Sequence, residues 1–487
     1  MGIIQKQALR STIANYVGVG FGAFTRLFLA LFATNLQIGV IDLIEAVSGS
    51  FAAILNFGYN QVLLRLFPKY RDEKNGHHGF LLFGIFLSIF GASIGVGIYF
   101  LFFDFFTPGE EGEQYIHIFT LFLPFLILAR LLYRNLDGYA RMLFATVLGT
   151  VLESVVLKGV VMSGVLLTFY GVFVFEQLLL IYILAFSIPG IVVMLFVFFK
   201  TKKVILPKKE IFSENKKQLP SLMLFGVLVG ASGSIIMYVD KFMINEMVGT
   251  DAVGVYGQMF FAALLVSMVS RGIKRISGTV LAEAWNKNDL DNIQSIYRKS
   301  CLNQMVIAFF FLLVGWACIV PATDLLGKYQ EGVYVFLFLG LGQLFDMMTG
   351  VNTEIISTSK NYKFNTYFNL VLAALVIALN ALFINWWNIN GAAFASFCAI
   401  VIVNTSRWYF LKRKYNFQPF DKRFFGAMIP GVLLMLLISF ADYDLPNLYK
   451  ILINGVVVSV VYWFIVLKFN LSEEITAWLI KVGLRKG

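Results

Sequence analysis

Long runs of apolar residues alternate with short polar gaps along the chain of 487 residues. Most runs reach the roughly 20 residues that an α-helix needs to cross a hydrocarbon core of about 30 Å. The pattern predicts an all-α, polytopic integral membrane protein with about fourteen transmembrane helices. The runs cover roughly residues 11–33, 37–64, 79–103, 115–136, 142–170, 177–199, 220–245, 253–273, 299–320, 333–357, 365–386, 391–411, 425–440 and 447–467.

The polar gaps differ in charge, and the difference alternates along the chain. Lysine and arginine gather in every second gap, whereas the gaps between these hold mostly carboxylates, with Lys328 and Lys450 as exceptions. Basic loops stay on the cytoplasmic side of a membrane. The alternation therefore predicts an even number of spans and both termini in the cytoplasm. The first run continues to about Ala33, so we expect it to be a retained span rather than a cleaved signal.

Composition agrees with a membrane protein, because 59% of the residues are hydrophobic and only 14% are charged. Soluble domains carry about 25% charged residues. The net charge of +11 follows the loop pattern, so we expect no nucleic-acid partner. The three cysteines, Cys301, Cys318 and Cys398, lie in or beside apolar runs without paired spacing, which indicates neither a disulfide framework nor a metal site.

A basic polar stretch at 200–220 divides the first twelve spans into two sets of six. The sets resemble each other at an offset of 215 residues, because Arg26 matches Lys241 and the pair Gly39-Val40 matches Gly254-Val255. We therefore expect two pseudo-symmetric six-helix lobes, as in transporters built from parallel repeats. The predicted divisions are an N-terminal lobe at 1–205, a second lobe at 206–415, and helices 13 and 14 with a cytoplasmic amphipathic tail at 416–487.

Two segments outside the spans have the pattern of interfacial helices. Residues 276–297 mix apolar and polar positions, and the tail at 471–484 places Ile475, Trp478, Leu479 and Val482 at helical spacing. Segments of this kind lie in the headgroup region, so we expect them to anchor the chain to the bilayer surface.

Charged residues within the spans are the best candidates for function, since a charge at the bilayer centre costs roughly 2.5–3.5 kcal/mol and normally faces a cavity or a partner. Arg26 is the strongest of them because it lies several residues from either end of its span. Asp42 and Lys241 could instead reach the interface, and Lys158 could pair with Glu153. The cation candidates are Arg26, Lys158 and Lys241, and the carboxylate candidates are Asp42, Glu45, Asp240 and Asp346.

Catalytic motifs do not stand out in the sequence. The histidines are His77, His78 and His117, in or beside polar loops, and there is no glycine-rich phosphate loop of the ATPase type. We therefore expect a protein that is not an enzyme, with no cofactor and no metal site.

Two segments resemble a known family. Residues 247–256, Met-Val-Gly-Thr-Asp-Ala-Val-Gly-Val-Tyr, resemble the LG-x-x-A-V-G-x-Y element of polysaccharide exporters. Residues 278–289, with Ala282-Glu283-Ala284-Trp285, resemble the segment after the second span of a lobe in the same proteins. The family's usual proline in that loop is present as Pro68 in the first half and missing from the second. The chain thus resembles a Wzx-type flippase of the multidrug/oligosaccharidyl-lipid/polysaccharide (MOP) superfamily, which also contains the MATE exporters.

This resemblance implies a MATE-like fold and a flippase for undecaprenyl-pyrophosphate-linked oligosaccharides in the bacterial inner membrane, serving surface polysaccharides such as lipopolysaccharide O-antigen. It implies that Arg26, Lys158 and Lys241 attract the pyrophosphate, and that H⁺ or Na⁺ couples through a carboxylate among Asp42, Glu45, Asp240 and Asp346. Besides the lipid-linked substrate and the bilayer, glycan polymerase or assembly proteins are implied partners.

Three other functions remain open at this stage. A MATE-like, cation-coupled drug exporter would favour an acidic, aromatic cavity. The lysines and arginines within the spans argue against such a cavity. A polysaccharide polymerase or ligase would need a substantial outer loop for catalysis, and the longest outer gap has only about a dozen residues. A scaffold for glycan assembly would not need charges inside its spans.

Overall fold

The computed structural model describes residues 3–201, 203–268, 270–440, 443–472, 474 and 476, with side chains described from residue 10 onward except at position 271. The described residues form helices and connecting turns, without strands, as the sequence predicts. Contacts divide the chain into two compact units, Met1–Gly254 and Val255–Gly487. The lobe boundaries at 205 and 415 remain predictions.

Among its described residues, the first unit contains eleven α-helices and the first turn of a twelfth. They are α1 (Ile3–Phe32), α2 (Asn35–Ile54), α3 (Tyr59–Leu66), α4 (Phe80–Leu101), α5 (Phe103–Phe106), α6 (Ile116–Met142), α7 (Thr146–Val151), α8 (Lys158–Phe169), α9 (Phe175–Lys200), α10 (Lys209–Glu214), α11 (Gln218–Met247) and α12 (Thr250–Leu264). A π-helical turn, Leu152–Leu157, joins α7 to α8.

In the part of the second unit that the structure describes, the rest of α12 is followed by seven further helices. They are α13 (Ser270–Asn286), α14 (Leu290–Leu326), α15 (Val333–Met348), α16 (Asn352–Thr358), α17 (Lys363–Tyr415), α18 (Lys422–Ser439) and α19 (Asn447–Lys468).

Among the described residues, thirteen helices are long and apolar enough to cross a membrane. One of them, α17, has 53 residues, or about 80 Å at 1.5 Å per residue, which is more than twice the thickness of a hydrocarbon core. Its helical dihedral angles break at Trp387 and Asn388, where φ is −133° and 49°. Helix α17 is therefore two spans, and the total of fourteen confirms the number predicted from the sequence.

The glycines matched by the sequence repeat pack against each other. A Cβ atom on Gly39 would lie 2.0 Å from the carbonyl oxygen of Thr250, and one on Gly254 would lie 1.9 Å from that of Asn35. The contact is reciprocal, because Asn35 and Thr250 are also 215 residues apart. Only residues without a side chain allow the two helix starts to approach this closely.

The prediction of one interfacial helix at 276–297 is wrong. Helix α13 ends at Asn286, and Asn288 takes a left-handed conformation with φ of 53°. The side chain of Asp289 then accepts a hydrogen bond from the amide of Asn292 and starts α14. An N-cap residue begins a new helix because it satisfies free backbone N–H groups. The predicted amphipathic tail at 471–484 lies largely outside the described residues.

The basic stretch after α9 packs against the first unit. Ile211 of α10 is buried in a cluster with Tyr59 and Phe67. Glu214 accepts hydrogen bonds from Lys69 at 2.8 Å and from the Tyr70 hydroxyl at 2.7 Å. This stretch is therefore a packed part of the first unit rather than a free linker.

Candidate functional site

A buried carboxylate in the first unit joins the two cations that the repeat matches. Asp42 on α2 is fully buried and accepts hydrogen bonds from Arg26 on α1 at 2.5 and 3.1 Å. Lys241 on α11 donates to the same carboxylate at 3.0 Å. Two cations thus share one anion, and this triad carries a formal charge of +1.

The triad forms because three apolar helices each place one charge at the same level. A buried ion is tolerated only with a partner, so each charge requires the others. The position that matches Asp42 at the repeat offset is Gly257, which has no carboxylate. The cations therefore follow the repeat, whereas the carboxylate between them does not.

The other predicted residues of the first unit lie apart from the triad's hydrogen bonds. Glu45 is half-buried one turn along α2, where the Tyr182 hydroxyl donates to it at 3.4 Å. Asp240 is buried, with 5% of its surface exposed. Lys158 begins α8 directly after the π-helical turn.

Asp346 lies in the second unit, in a network of its own. It accepts hydrogen bonds from Lys274 at 2.8 Å and from Asn404 at 3.2 Å. The Asn404 side chain also accepts from Arg407 at 3.3 Å, and Arg407 donates to Asn369 at 2.6 Å. The structure thus brings together three of the predicted candidates, Arg26, Asp42 and Lys241, and places Asp346 in a separate polar network.

The first unit also contains a cavity of about 520 Å³ that sequence reasoning did not identify. Its lining includes three arginines, Arg130, Arg134 and Arg141, all from α6. The carboxylates in the lining are Asp137 and Glu153, so the formal charge of the lining is +1. Neither Lys158 nor the triad is part of this lining.

Arg130 and Arg134 lie within the predicted run 115–136, but all three arginines were assigned to the basic gap that follows it and were therefore not considered as site residues. The structure places all three inside α6, which ends at Met142. Arg130, Arg134, Asp137 and Arg141 are spaced by four, three and four residues, which puts them on one face of a helix. That spacing was a signal available from the sequence.

The Arg130 side chain packs against an aromatic ring, and two of its nitrogen atoms have no hydrogen-bond partner among the described residues. Its guanidinium lies 3.8 Å from the ring centroid of Phe186, a cation–π contact. Its Nε and Nη2 atoms are buried and have no hydrogen-bond partner among the described residues. These atoms are donors that a bound acceptor would satisfy.

The remaining charges of the lining are paired or exposed. Arg141 forms an ion pair with Asp137 one turn away. Glu153 lies on the π-helical turn and accepts a hydrogen bond from the Tyr133 hydroxyl at 3.4 Å. Arg134 is exposed. The arrangement suits an anion with several acceptor oxygens, since arginine forms strong paired hydrogen bonds to phosphate and carboxylate.

These features define a class of protein, the polytopic helical membrane proteins with an internal repeat, an architecture found in many transporters. Solved structures share the fold. The lipid II flippase MurJ, in its inward closed conformation, matches with a TM-score of 0.72 and 13% identity, covering 95% of this chain and 99% of that chain. An inward-facing MATE family transporter of the MOP superfamily matches with a TM-score of 0.64 and 14% identity, covering 84% and 98%.

A MOP superfamily transporter from Pyrococcus furiosus matches with a TM-score of 0.51 and 15% identity, covering 85% of this chain and 96% of that chain. At such identities these likenesses show the fold, which is the MATE-like fold that the sequence predicts. These solved structures are described as those of a flippase and of transporters.

The sequence itself matches a family described as "Polysaccharide biosynthesis protein" over residues 4–282. This match spans more than half of the chain, and the protein belongs to that family. Among curated proteins, no sequence matches this chain.

Proposed function

We propose that the protein is a flippase that moves a lipid-linked oligosaccharide across the bacterial inner membrane for the synthesis of a surface polysaccharide. The lipid carrier would be a polyprenyl pyrophosphate such as undecaprenyl pyrophosphate. The observation that carries the proposal is the row of three arginines in the cavity of the first unit. Membership of the polysaccharide biosynthesis family supports it.

Pyrophosphate fits the chemistry of this cavity. It is a compact anion with many acceptor oxygens, and the free Nε and Nη2 atoms of Arg130 are donors that need acceptors. Charge-assisted hydrogen bonds contribute about 1.5–3 kcal/mol each, and more where water is excluded. The oligosaccharide supplies further hydroxyl groups, for which Asn60, Gln61 and Tyr238 in the lining are partners.

The basic gaps give the proposed orientation. The gaps rich in lysine and arginine face the cytoplasm, as do both termini. Arg141 lies next to the end of α6 that leads into one of these gaps. The cavity therefore receives its substrate from the cytoplasmic side, where lipid-linked sugars are assembled.

Alternating access gives the triad a part in the cycle. In the resting state Asp42 holds Arg26 and Lys241, and these cations transfer to the substrate phosphate when the helices rearrange. Lys158, at the start of α8, adds a third cation to this pathway. Asp42, Glu45, Asp240 and Asp346 are the carboxylates through which H⁺ or Na⁺ would drive the return step.

Reconstituted vesicles test the proposal. A fluorescent undecaprenyl-pyrophosphate sugar is added, and its arrival in the opposite leaflet is followed by quenching with a membrane-impermeant reductant. The double variant Arg130→Gln/Arg134→Gln should slow flipping at least tenfold, because each lost charge-assisted hydrogen bond is worth a factor of ten or more. Arg65→Gln, an exposed arginine of α3 outside the lining, is the matched control.

Two results would count against the proposal. Equal flipping by the wild type and the double variant would remove the cavity from the pathway. Transport of a cationic drug with no flipping of the lipid-linked sugar would assign the chain to the exporters instead.

A further inference from the structure

A second, apolar chamber of about 230 Å³ lies in the first unit. Its walls come from α2, α4, α5 and α11. Apart from two serines, every residue in the lining is aliphatic or aromatic. The lining consists of Ser50, Phe51, Ile54, Leu55, Ile98, Phe106, Ser234, Ile235, Val239 and Phe242.

Ser50 in this chamber has an unsatisfied hydroxyl group. The residue is 7% exposed, and its Oγ atom is buried without a hydrogen-bond partner among the described residues. Other buried helical serines donate to a carbonyl one turn earlier, as Ser48 does to Ile44 at 2.5 Å and Ser88 does to Gly84 at 2.8 Å. A buried polar group without a partner costs about 1–3 kcal/mol, so the Ser50 hydroxyl is set up for a partner that the protein does not supply.

The chamber adjoins the arginine-lined cavity. The two spaces lie on opposite faces of α2, with Gly49 and Ala53 towards the cavity and Phe51 and Ile54 towards the chamber. Ser234 on α11 lines both. A ligand with a charged group in the cavity and an apolar group in the chamber would therefore pass between α2 and α11 beside Ser234.

Helices α2 and α11 are in contact on both sides of Ser234. A Cβ atom on Gly230 would lie 2.0 Å from the carbonyl oxygen of Ala53, so the helices are in backbone contact there. A Cβ atom on Gly233, one residue before Ser234, would have no atom within 4 Å. Gly233 lines the arginine-lined cavity, so the open space beside it belongs to that cavity. A Cβ atom on Gly49 of α2 would lie 2.7 Å from the Tyr238 hydroxyl of α11, so the route beside Ser234 lies between this contact and the one at Gly230.

The volume of the chamber indicates the size of the apolar group that it can hold. An apolar protein cavity of about 150 Å³ accommodates benzene, with six carbons. By that scale the chamber holds about ten carbons, or two isoprenoid units.

We propose that this chamber binds the isoprenoid units next to the pyrophosphate of the lipid-linked substrate, with the Ser50 hydroxyl donating to an oxygen at the phosphate end. This inference rests on the proposed function and adds a second subsite to it. The ligand class is a prenyl pyrophosphate, whose charged and apolar parts match the two adjoining spaces.

Binding to the purified full-length chain tests the chamber, with geranyl pyrophosphate as a ten-carbon probe and inorganic pyrophosphate as its headgroup alone. The wild type should bind geranyl pyrophosphate at least tenfold more tightly. Val239→Phe fills the chamber from a position outside the cavity lining, and it should remove this preference while leaving the affinity for inorganic pyrophosphate unchanged. Val457→Phe, on an exposed face of α19, is the control for the same substitution.

Ser50→Ala gives an independent test with almost no change in volume, and it should reduce the preference several-fold. An unchanged preference in both Val239→Phe and Ser50→Ala would overturn the chamber proposal. So would a phospholipid that copurifies with the wild type, is lost in Val239→Phe and is not displaced by geranyl pyrophosphate. If neither probe binds the wild type, the proposed function fails as well, whereas equal binding of the two probes removes only the chamber.

Discussion

In the first unit, the Asp42 carboxylate accepts hydrogen bonds from two cations. In the second unit, the Asp346 carboxylate accepts hydrogen bonds from one cation and one amide side chain. Asp42 is fully buried between Arg26 and Lys241. Asp346 is partly exposed, at 26% of its side chain, and receives Lys274 together with the amide of Asn404. The hydrogen bonds that Asp42 accepts from Arg26 and Lys241 come from charged groups. Asp346 also has a neutral amide partner, which can reorient if the charge is removed.

The two halves of the repeat also differ at the positions that line the cavity. At the offset of 215 residues, the charged face of α6 corresponds to Phe345 of α15, to Thr349 directly after that helix, and to Asn352 and Ile356 of α16. None of these residues is charged. The two halves of the repeat share their helices, but the row of charged residues on α6 has no charged counterpart at the matched positions of the second half.

This comparison shows that a charge within a span does not define a role by itself. What matters is whether its neighbours cancel it. In the first unit the triad and the cavity lining each retain a formal charge of +1, which an anionic ligand would neutralise. In the second unit Lys274 pairs directly with Asp346, whereas Arg407 reaches that carboxylate only through Asn404, so this network also has a formal charge of +1 but is spread over neutral amides.

The largest effect is expected for Asp42→Asn. This change keeps the shape of the side chain but leaves Arg26 and Lys241 buried without their anion. Removing one partner of a buried ion pair costs about 3–5 kcal/mol. We expect a corresponding drop in the free energy of unfolding, measured by denaturation of the purified protein in detergent.

The control is Glu45→Gln, which neutralises a half-buried carboxylate one turn away on the same helix and should cost under about 1 kcal/mol. Adding Lys241→Met to Asp42→Asn removes one of the two orphaned cations, so the double variant should recover part of the lost stability. A double variant less stable than Asp42→Asn would contradict the assignment of Asp42 as the shared counter-ion.

A smaller effect is expected for Asp346→Asn. The new amide can still accept from Lys274, and Asn404 can reorient, so the loss should be about 1–2 kcal/mol in the same assay. Asn404→Ala is the companion variant, because it breaks the link between Asp346 and Arg407 without removing a charge. If Asp346→Asn destabilised the protein as much as Asp42→Asn, the distinction between the two networks would fail.

The sequence predicted the fold more fully than the site. The lengths of the hydrophobic runs and the charges of the loops were sufficient to predict fourteen membrane-spanning helices, because crossing a bilayer requires a minimum helix length. The repeat offset matched Arg26 with Lys241, and the structure places both on one carboxylate. That the carboxylate is Asp42 depends on how α1, α2 and α11 pack, which no local pattern encodes.

The arginines of α6 show a different limit. Loop charges account for topology so well that Arg130, Arg134 and Arg141 were counted as part of a basic gap, although their spacing places them on one helix face. The interfacial helix predicted at 276–297 failed for a local reason. Asn288 and Asp289 end one helix and start the next, and an amphipathic pattern can continue through such a break.

The smallest effect, and the most direct test of the cationic α6 cavity, is expected for Glu153→Gln. Glu153 is one of two carboxylates in the cavity lining, so its neutralisation raises the formal charge of the lining from +1 to +2. Inorganic pyrophosphate should then bind several-fold more tightly at low ionic strength. The gain should shrink in high salt, because mobile ions screen the exposed part of the cavity. Glu354→Gln, a neutralised carboxylate in the second unit, should leave pyrophosphate binding unchanged. Equal gains from both variants would mean that the affinity follows the net charge of the whole protein and not the charge of the α6 cavity.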